Sequence, residues 1–378
     1  MVIHSATNGL RGYALAARGV VKRVARHAER TAKNKLLSVL SKGKPGRGEQ
    51  TVAALRDIER IIVIRPNYRI GNAVLSTAII DPLRLKYPGA SIDFLATDKT
   101  AGLFRNLPVG KVATLSRSAI FRPWRLVSLA RSLRAGRYDL AVQLEDGSLT
   151  GLVISRLVGA RYVIGKPRGS ACWYDVNIRE DVDHAYDTAS VFSKALGVAC
   201  LPRPQLVFGP EEEARAVSTL ESLGVPAPQG NLAPYVALFV GGHADKVCPA
   251  EFWTELCRGL NHLCHPFVVF VGPEESAIVP VLEQAVAALP HGRICPPRSL
   301  REFAAMLGQA SSIITPDSGP MHIAAALQVP IIAMARSQRS KAFIPAYDDT
   351  RIVWNLDVHG ALQAVQELMP PQARAQAV

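Results

Sequence analysis

The sequence predicts an α/β protein made of two doubly wound domains in series, each a parallel sheet covered by helices on both faces. Three observations predict it. Short apolar runs suited to strands buried on both faces, Ile61–Ile64 and Phe267–Val271 among them, alternate with segments of helix length. The alternation stops in the proline- and glycine-rich stretch Gly224–Pro234 and then starts again. At 378 residues the chain has room for two ordinary domains, and 48% hydrophobic residues can fill both cores.

Residues 1–57 read as a basic N-terminal extension, helical or partly disordered. Eleven Lys and Arg in residues 1–50 stand against Glu29 and Glu49, so this segment carries +9 of the net +13. The +4 left for residues 51–378 argues against a nucleic-acid-binding core. Leu10, Tyr13, Leu15, Val20, Val21 and Val24 lie among the basic residues, a pattern that suits an anionic membrane surface or a solvated arm. There is no secretory leader pattern and no apolar run long enough to span a bilayer. Six cysteines without a CxxC pair argue against a zinc site or a disulfide framework and fit a reducing compartment.

Residues 58–223 form the expected first domain. Ile61–Ile64 is its first strand, Arg65 to Asn72 the turn, and a helix follows from about Ala73 to Tyr87, ended by Pro88-Gly89. Ile92–Ala96 is a second strand. A helix over 123–135, a strand at Tyr138–Leu144, a helix at Leu149–Leu157 and a strand at Tyr162–Gly165 continue the pattern. Glu211–Leu223 is a further helix, and residues 224–233 are the linker. The second domain, 234–378, opens with a strand at Tyr235–Val240 and a helix at Pro249–Leu263. A strand at Phe267–Val271, a helix over 276–289 and a helix opened by Ser299 and Glu302, spaced as a cap and its partner, come next. The strand ending at Pro316, a strand at Ile331–Ala335 and a helix at Val358–Met369 complete it, with the last helix placed to reach back toward the first domain.

In such folds ligands bind at the carboxyl ends of the strands, in the crevice between two sheets, so the post-strand turns carry the chemistry. First-domain turns supply Arg65, Asn67, Tyr68, Arg69, Gly71, Asn72, Glu145, Asp146 and Ser148. Second-domain turns supply Gly241, Gly242, His243, Lys246, Glu274, Asp317, Ser318, Gly319, Pro320 and His322. Glycines, a lysine and a helix start opened by Pro320 suit a nucleotide diphosphate. The cationic and acidic first-domain turns suit a hydroxylated acceptor. No GxGxxG or GxxxxGK[ST] occurs, which excludes the dinucleotide and P-loop fingerprints. His322 has two readings, ligand contact and packed core histidine. Glu145 and Asp146 are adjacent, so at most one faces the crevice.

The run Ile64-Arg65 with Arg69-Ile70-Gly71-Asn72-Ala73-Val74-Leu75, then Tyr138–Val142, Lys246–Pro249 and Asp317-Ser318-Gly319-Pro320-Met321-His322, resembles glycosyltransferase family 9, which contains the ADP-heptose:lipopolysaccharide heptosyltransferases. The resemblance covers about residues 60–335 and omits the basic arm. It implies a GT-B fold of two Rossmann-like domains facing a central cleft, and inverting, metal-independent transfer of a heptose or hexose from a nucleotide-diphosphate sugar. ADP-heptose is one such donor, and no cofactor is implied. The acceptor would be a lipopolysaccharide-core or other cell-surface glycan, met in the cytoplasm or at the inner face of a bacterial inner membrane. The second domain would bind donor through Gly241, Gly242, Lys246, Glu274, Asp317, Ser318, Gly319, Pro320 and His322, with Lys246 on the phosphate. The first would bind acceptor through Arg65, Arg69, Gly71 and Asn72.

Asn72 stands where the family usually has the aspartate taken as general base, and an amide cannot accept the acceptor proton. Gln143 stands where a strand-end aspartate is frequent, and Val247-Cys248 replaces a basic-aromatic pair. Three readings of Asn72 stay open: Asp146 or Glu145 is the base, Asn72 positions the acceptor, or the protein binds nucleotide sugar or glycan without transfer. An epimerase of similar architecture would instead release free sugar or epimer with no acceptor present.

Overall fold

The structure is a computed structural model and describes residues 49–116, 123–228, 232–242 and 246–368. The basic arm up to residue 48 lies outside the described residues. Residues 49–57, assigned to the extension by sequence, are docked: the Gln50 N–H donates to Asp175 O at 2.8 Å, Arg179 pairs with Glu49 at 2.7 Å, and Leu55 is buried.

The first lobe holds six parallel strands, β1 (Arg60–Ile64), β2 (Ser91–Thr97), β3 (Val112–Leu115), β4 (Leu140–Gln143), β5 (Tyr162–Gly165) and β6 (Val176–Asn177), in the order β3-β2-β1-β4-β5-β6. Ile61 to Ile64 are fully buried, as an unbroken apolar run in a central strand requires. The second lobe repeats the plan with β7 (Val236–Phe239), β8 (Phe267–Phe270), β9 (Gly292–Cys295), β10 (Ser312–Pro316), β11 (Ile331–Ala335) and β12 (Thr350–Trp354), ordered β12-β11-β10-β7-β8-β9. Strand order reverses between β1 and β4 in one sheet and between β7 and β10 in the other. The turns that leave those four strands carry all the candidate residues except Glu274, which follows β8.

The helix after β1 starts earlier than the sequence suggests and is segmented. Helix α1 (Ile70–Ser76) passes through a 3₁₀ turn at Thr77–Ile79 into α2 (Ile80–Lys86). Pro82 cannot donate to the carbonyl of Ala78, and Ser76 and Thr77 hydroxyls donate to Ala73 O and Val74 O at 2.6 and 2.7 Å, which tightens this stretch. The remaining helices are α3 (Pro123–Ala135), α4 (Leu149–Val158), α5 (Asp187–Leu196), α6 (Pro210–Ser222), α7 (Ala250–His262), α8 (Val279–Ala287), α9 (Leu300–Leu307), α10 (Gly319–Leu327) and α11 (Val358–Leu368). The Ser299/Glu302 capping box at the start of α9 is present.

Two placements bear on the division into domains. Helix α11 buries Ala361, Ala364 and Val365 in the second lobe against α7. Helix α6, assigned to the first domain, packs on α9 of the second. Glu212 of α6 accepts two bonds from Arg301 of α9, at 3.0 and 2.7 Å, and one from Asn106 of the first lobe at 2.9 Å. Arg301 also donates to Val207 O at 2.6 Å and lies 4.2 Å from the centre of the Phe208 ring. This mostly buried knot joins both lobes. One apolar cluster likewise runs through Ile61 and Val63 of the first sheet and Ala237, Val268 and Ile313 of the second.

Candidate active site

Where β1 ends, the chain makes a tight turn before α1. The Asn67 N–H donates to Arg65 O at 2.7 Å, and Asn67 Oδ1 accepts the Arg69 N–H at 2.9 Å. Arg65 points inward. Its Nε and Nη1 are buried without a hydrogen-bond partner, and desolvation lowers its pKa to about 10 against the opposing pull of Glu145. A buried guanidinium in this state lacks acceptors that an anionic or hydroxylated ligand can supply. Arg69 is exposed, Gly71 is buried, and Asn72 is half-buried with no side-chain hydrogen bond among the described residues.

Asn67 Nδ2 donates to Glu145 Oε1 at 3.2 Å, so Glu145 is the carboxylate that turns toward Arg65. Asp146 is exposed. Gln143, at the end of β4, is fully buried with neither end of its amide bonded.

In the second lobe, Lys246 Nζ meets the buried carboxylate of Asp317 at 2.5 Å and lies 5.3 Å from the Phe343 ring centre. Asp317 does not cap the helix. Ser318 takes the cap position in extended conformation, its Oγ 3.1 Å from Thr315 Oγ1, and Gly319 and Pro320 open α10. Gly242 lies against the Lys246–Val247 backbone, where a Cβ would crowd it. His243 lies outside the described residues.

Gly241 and Gly272 leave room for the Glu275 carboxylate, which a Cβ on either would overlap. Burial, then the charge of Glu274, raises the Glu275 pKa. The inward carboxylate of this turn is therefore Glu275, and Glu274, the residue singled out in the sequence, is exposed.

The two lobes meet at their helix starts. A Cβ on Gly71 would overlap the His322 ring, and one on Gly319 would come within 3.0 Å of Ile70. His322 Nδ1 is 2.8 Å from the Tyr186 hydroxyl, which reaches across from the residue preceding α5. The strap that carries Tyr186 is stitched to the second lobe: the Ala185 N–H donates to Ala342 O, and His184 Nε2 bonds Ile344 O, both at 2.8 Å. Burial, followed by the charges of Lys246, Arg65 and His184, lowers the His322 pKa to about 3. The imidazole is thus neutral at working pH. In the tautomer whose proton is on Nε2, beside Gly71, the Tyr186 hydroxyl donates to Nδ1; in the other, Nδ1–H donates to the hydroxyl. His322 is therefore buried, yet it sits where both lobes converge.

Sequence reasoning found the turns but missed Tyr186, which lies in a polar stretch with no motif, and chose the outer member of the Glu274/Glu275 pair. Among the described residues no three His, Cys, Asp or Glu side chains converge as a metal-ligand set, and no helix is long and apolar enough to cross a membrane.

Comparison with known proteins places this geometry. The profile of glycosyltransferase family 9 (heptosyltransferase) matches residues 126–370. A lipooligosaccharide heptosyltransferase 2 of Haemophilus influenzae is 23% identical over 326 residues, covering 81% of this chain and 91% of the relative. A lipopolysaccharide heptosyltransferase 3 of Escherichia coli is 25% identical over 283 residues, covering 70% and 80%. Among solved structures, a family 9 glycosyltransferase from Veillonella parvula superposes with a TM-score of 0.70 at 20% identity, covering 85% of this chain and 93% of that one. E. coli ADP-heptose lps heptosyltransferase II gives 0.64 at 20% identity, covering 82% and 98%. Both share the fold of two facing Rossmann-like lobes. With the profile covering more than half of its length, the chain belongs to glycosyltransferase family 9.

Proposed function

We propose that the protein transfers a heptose or hexose, with inversion and without a metal, from a nucleotide-diphosphate sugar to a lipopolysaccharide-core or other cell-surface glycan. One observation carries this reading: the Arg65–Asn72 turn of the first lobe and the helix start of the second meet where Gly71 packs on His322, the first lobe bringing Arg65, whose buried Nε and Nη1 have no hydrogen-bond partner, and the second bringing Lys246, held on Asp317 at 2.5 Å. A cation from each lobe near one seam suits a donor diphosphate held beside an acceptor. The relatives named for lipopolysaccharide heptosyl transfer support the sugar and acceptor class, and one neighbour, E. coli heptosyltransferase WaaC with ADP, supports an adenine nucleotide donor.

In this mechanism the second lobe holds the donor. Glu275 accepts hydrogen bonds from ribose hydroxyls. Lys246 shifts from Asp317 to the diphosphate, and the Ser318–Pro320 helix start adds N–H donors. Asp317, released, accepts bonds from sugar hydroxyls. His322 Nε2–H donates to the leaving phosphate or the sugar. The acceptor lies on the first lobe against Arg65, Arg69 and Asn72. Its hydroxyl oxygen bonds to the anomeric carbon as the carbon–oxygen bond to the diphosphate breaks, the electron pair leaving on the phosphate. The hydroxyl proton passes to Glu145, the carboxylate held on this turn, while Asn72 positions the acceptor.

Thermal shift with ADP, UDP, GDP and their sugars tests donor binding, since a ligand of the folded state raises its melting temperature. Transfer to deacylated lipopolysaccharide core then tests the reaction. Donor binding without transfer to any glycan favours the binding-only reading that Asn72 allows, and no nucleotide shift at all overturns the proposal.

A further inference from the structure

The outer face of α3 on the first lobe is unlike the rest of the surface. From Lys99 to Tyr138 the sequence has nine Lys and Arg and no Asp or Glu. Helix α3 faces the lobe with Leu133, which is buried, and with the half-buried Leu129 and Ala130. Its opposite side presents Trp124 at 65% exposure, flanked by Val127 at 47%, whereas Leu126 lies in line with Leu129, Ala130 and Leu133 on the lobe-facing side. Arg125 and Arg131 are exposed beside them. Arg134 Nε donates to Leu157 O at 3.1 Å and pins the helix to α4. An exposed tryptophan and valine beside arginine, on a helix with no acidic residue, are costly in water and suit the boundary of an anionic bilayer, while Asp98 at the β3 rim accepts the Ser116 hydroxyl at 2.7 Å.

The chain's own arm does not suit this face as a cover, because residues 1–48 carry eleven basic residues against Glu29 and would be repelled. Exposed Val127 also fits nucleic acid poorly, since an aliphatic side chain neither stacks on bases nor pairs with phosphate.

We propose that this face of α3 is a lipid-contacting surface: Trp124 and Val127 enter the headgroup region of an anionic phospholipid bilayer while Arg125 and Arg131 meet its phosphates. In a right-handed crossover the helix runs antiparallel to its strands, so the Trp124 end of α3 lies at the rim where β3 ends. Leu115 O at that rim accepts the Tyr68 hydroxyl at 3.3 Å, which places the Arg65–Arg69 turn on the same side. A membrane-rooted glycan would reach that turn directly. This last step rests on the proposed function, whereas the lipid contact stands without it.

The test uses the full chain, so that arm and helix are present together. Vesicles of phosphatidylethanolamine and brominated phosphatidylglycerol should quench tryptophan emission in the native chain, and Trp124→Phe should remove most of that quenching. Trp124→Glu with Val127→Glu should lower vesicle partitioning about tenfold, the scale of withdrawing one large apolar side chain from the interface. Melting temperature and transfer to a water-soluble acceptor should be unchanged. Arg131→Glu should weaken binding at low salt and matter little at high salt. Vesicle binding without quenching of Trp124 assigns attachment to the arm alone and overturns the proposal. So does equal quenching by uncharged phosphatidylcholine, a Trp124→Glu chain that changes from dimer to monomer, or binding of single-stranded RNA in place of vesicles. Quenching that persists in a chain found to transfer no sugar leaves the lipid surface standing and removes only the functional reading.

Discussion

The Tyr186 hydroxyl lies 2.8 Å from His322 Nδ1, and this bond joins the first lobe to helix α10 of the second. If the hydroxyl donates, the ring proton sits on Nε2. Tyr186→Phe should lower kcat/KM for the donor by about threefold to tenfold, the scale of one neutral hydrogen bond. Nitrogen-15 spectra of the imidazole should show mixed tautomers in the variant and the Nε2–H form in the native chain.

Gly71 is buried against the His322 ring, with no space for a methyl group. Gly71→Ala should destabilise the fold by about 1–3 kcal/mol by forcing the two helix starts apart. Denaturant unfolding measures the loss, and transfer should fall more than stability does, because the displaced ring belongs to the site.

Lys246 balances the buried Asp317 at 2.5 Å. Lys246→Ala should reduce kcat about 10²–10³-fold if it stabilises the leaving diphosphate, and should also destabilise the fold by leaving Asp317 unpaired. Adding Asp317→Asn should restore part of the stability and none of the activity. Steady-state kinetics and melting temperatures on the same preparations separate the two effects.

A histidine whose pKa falls from 6.5 unfolded to about 3 folded binds its proton more readily in the unfolded chain. The stabilisation from keeping His322 neutral is complete above pH 6.5 and shrinks as pH falls toward about 3. His322→Gln should therefore flatten the stability profile between about pH 6.5 and 5, where few carboxylates titrate, by up to about 1.4 kcal/mol per pH unit. Urea midpoints across that window give the slopes.

Asn72 in the first turn of α1 cannot take a proton. If Glu145 is the base, Glu145→Gln should reduce transfer by about 10²–10⁴-fold, Asp146→Asn should have little effect, and Asn72→Asp should raise the rate of the Glu145→Gln chain. A native chain indifferent to Glu145→Gln removes that assignment.

Central elements were legible because their sequence is driven by burial alone. Ile61–Ile64, Phe267–Phe270 and Ile331–Ala335 are apolar throughout, and each is paired with a strand on both sides. The outer strands β3, β6, β9 and β12 were not read as strands: polar Thr114 interrupts the apolar run in β3, Thr350 and Arg351 shorten it in β12, and β6 is two residues long. In the site, the Asp317–His322 helix start was legible from Gly and Pro at their required positions. Which of two adjacent carboxylates turns inward was not legible, since Glu145/Asp146 and Glu274/Glu275 are chosen by neighbours distant in sequence: Asn67 for the first, Gly241 and Gly272 for the second.

The apolar cluster that runs unbroken from Ile61 to Ile313, with the Arg301–Glu212 knot at its margin, makes the two halves poor cassettes. A chimera that grafts the second lobe of a relative onto this first lobe inherits a mismatched seam unless the α1/α10 and α6/α9 faces travel together. New specificity in this scaffold is better sought by exchanging single turns than by exchanging whole lobes.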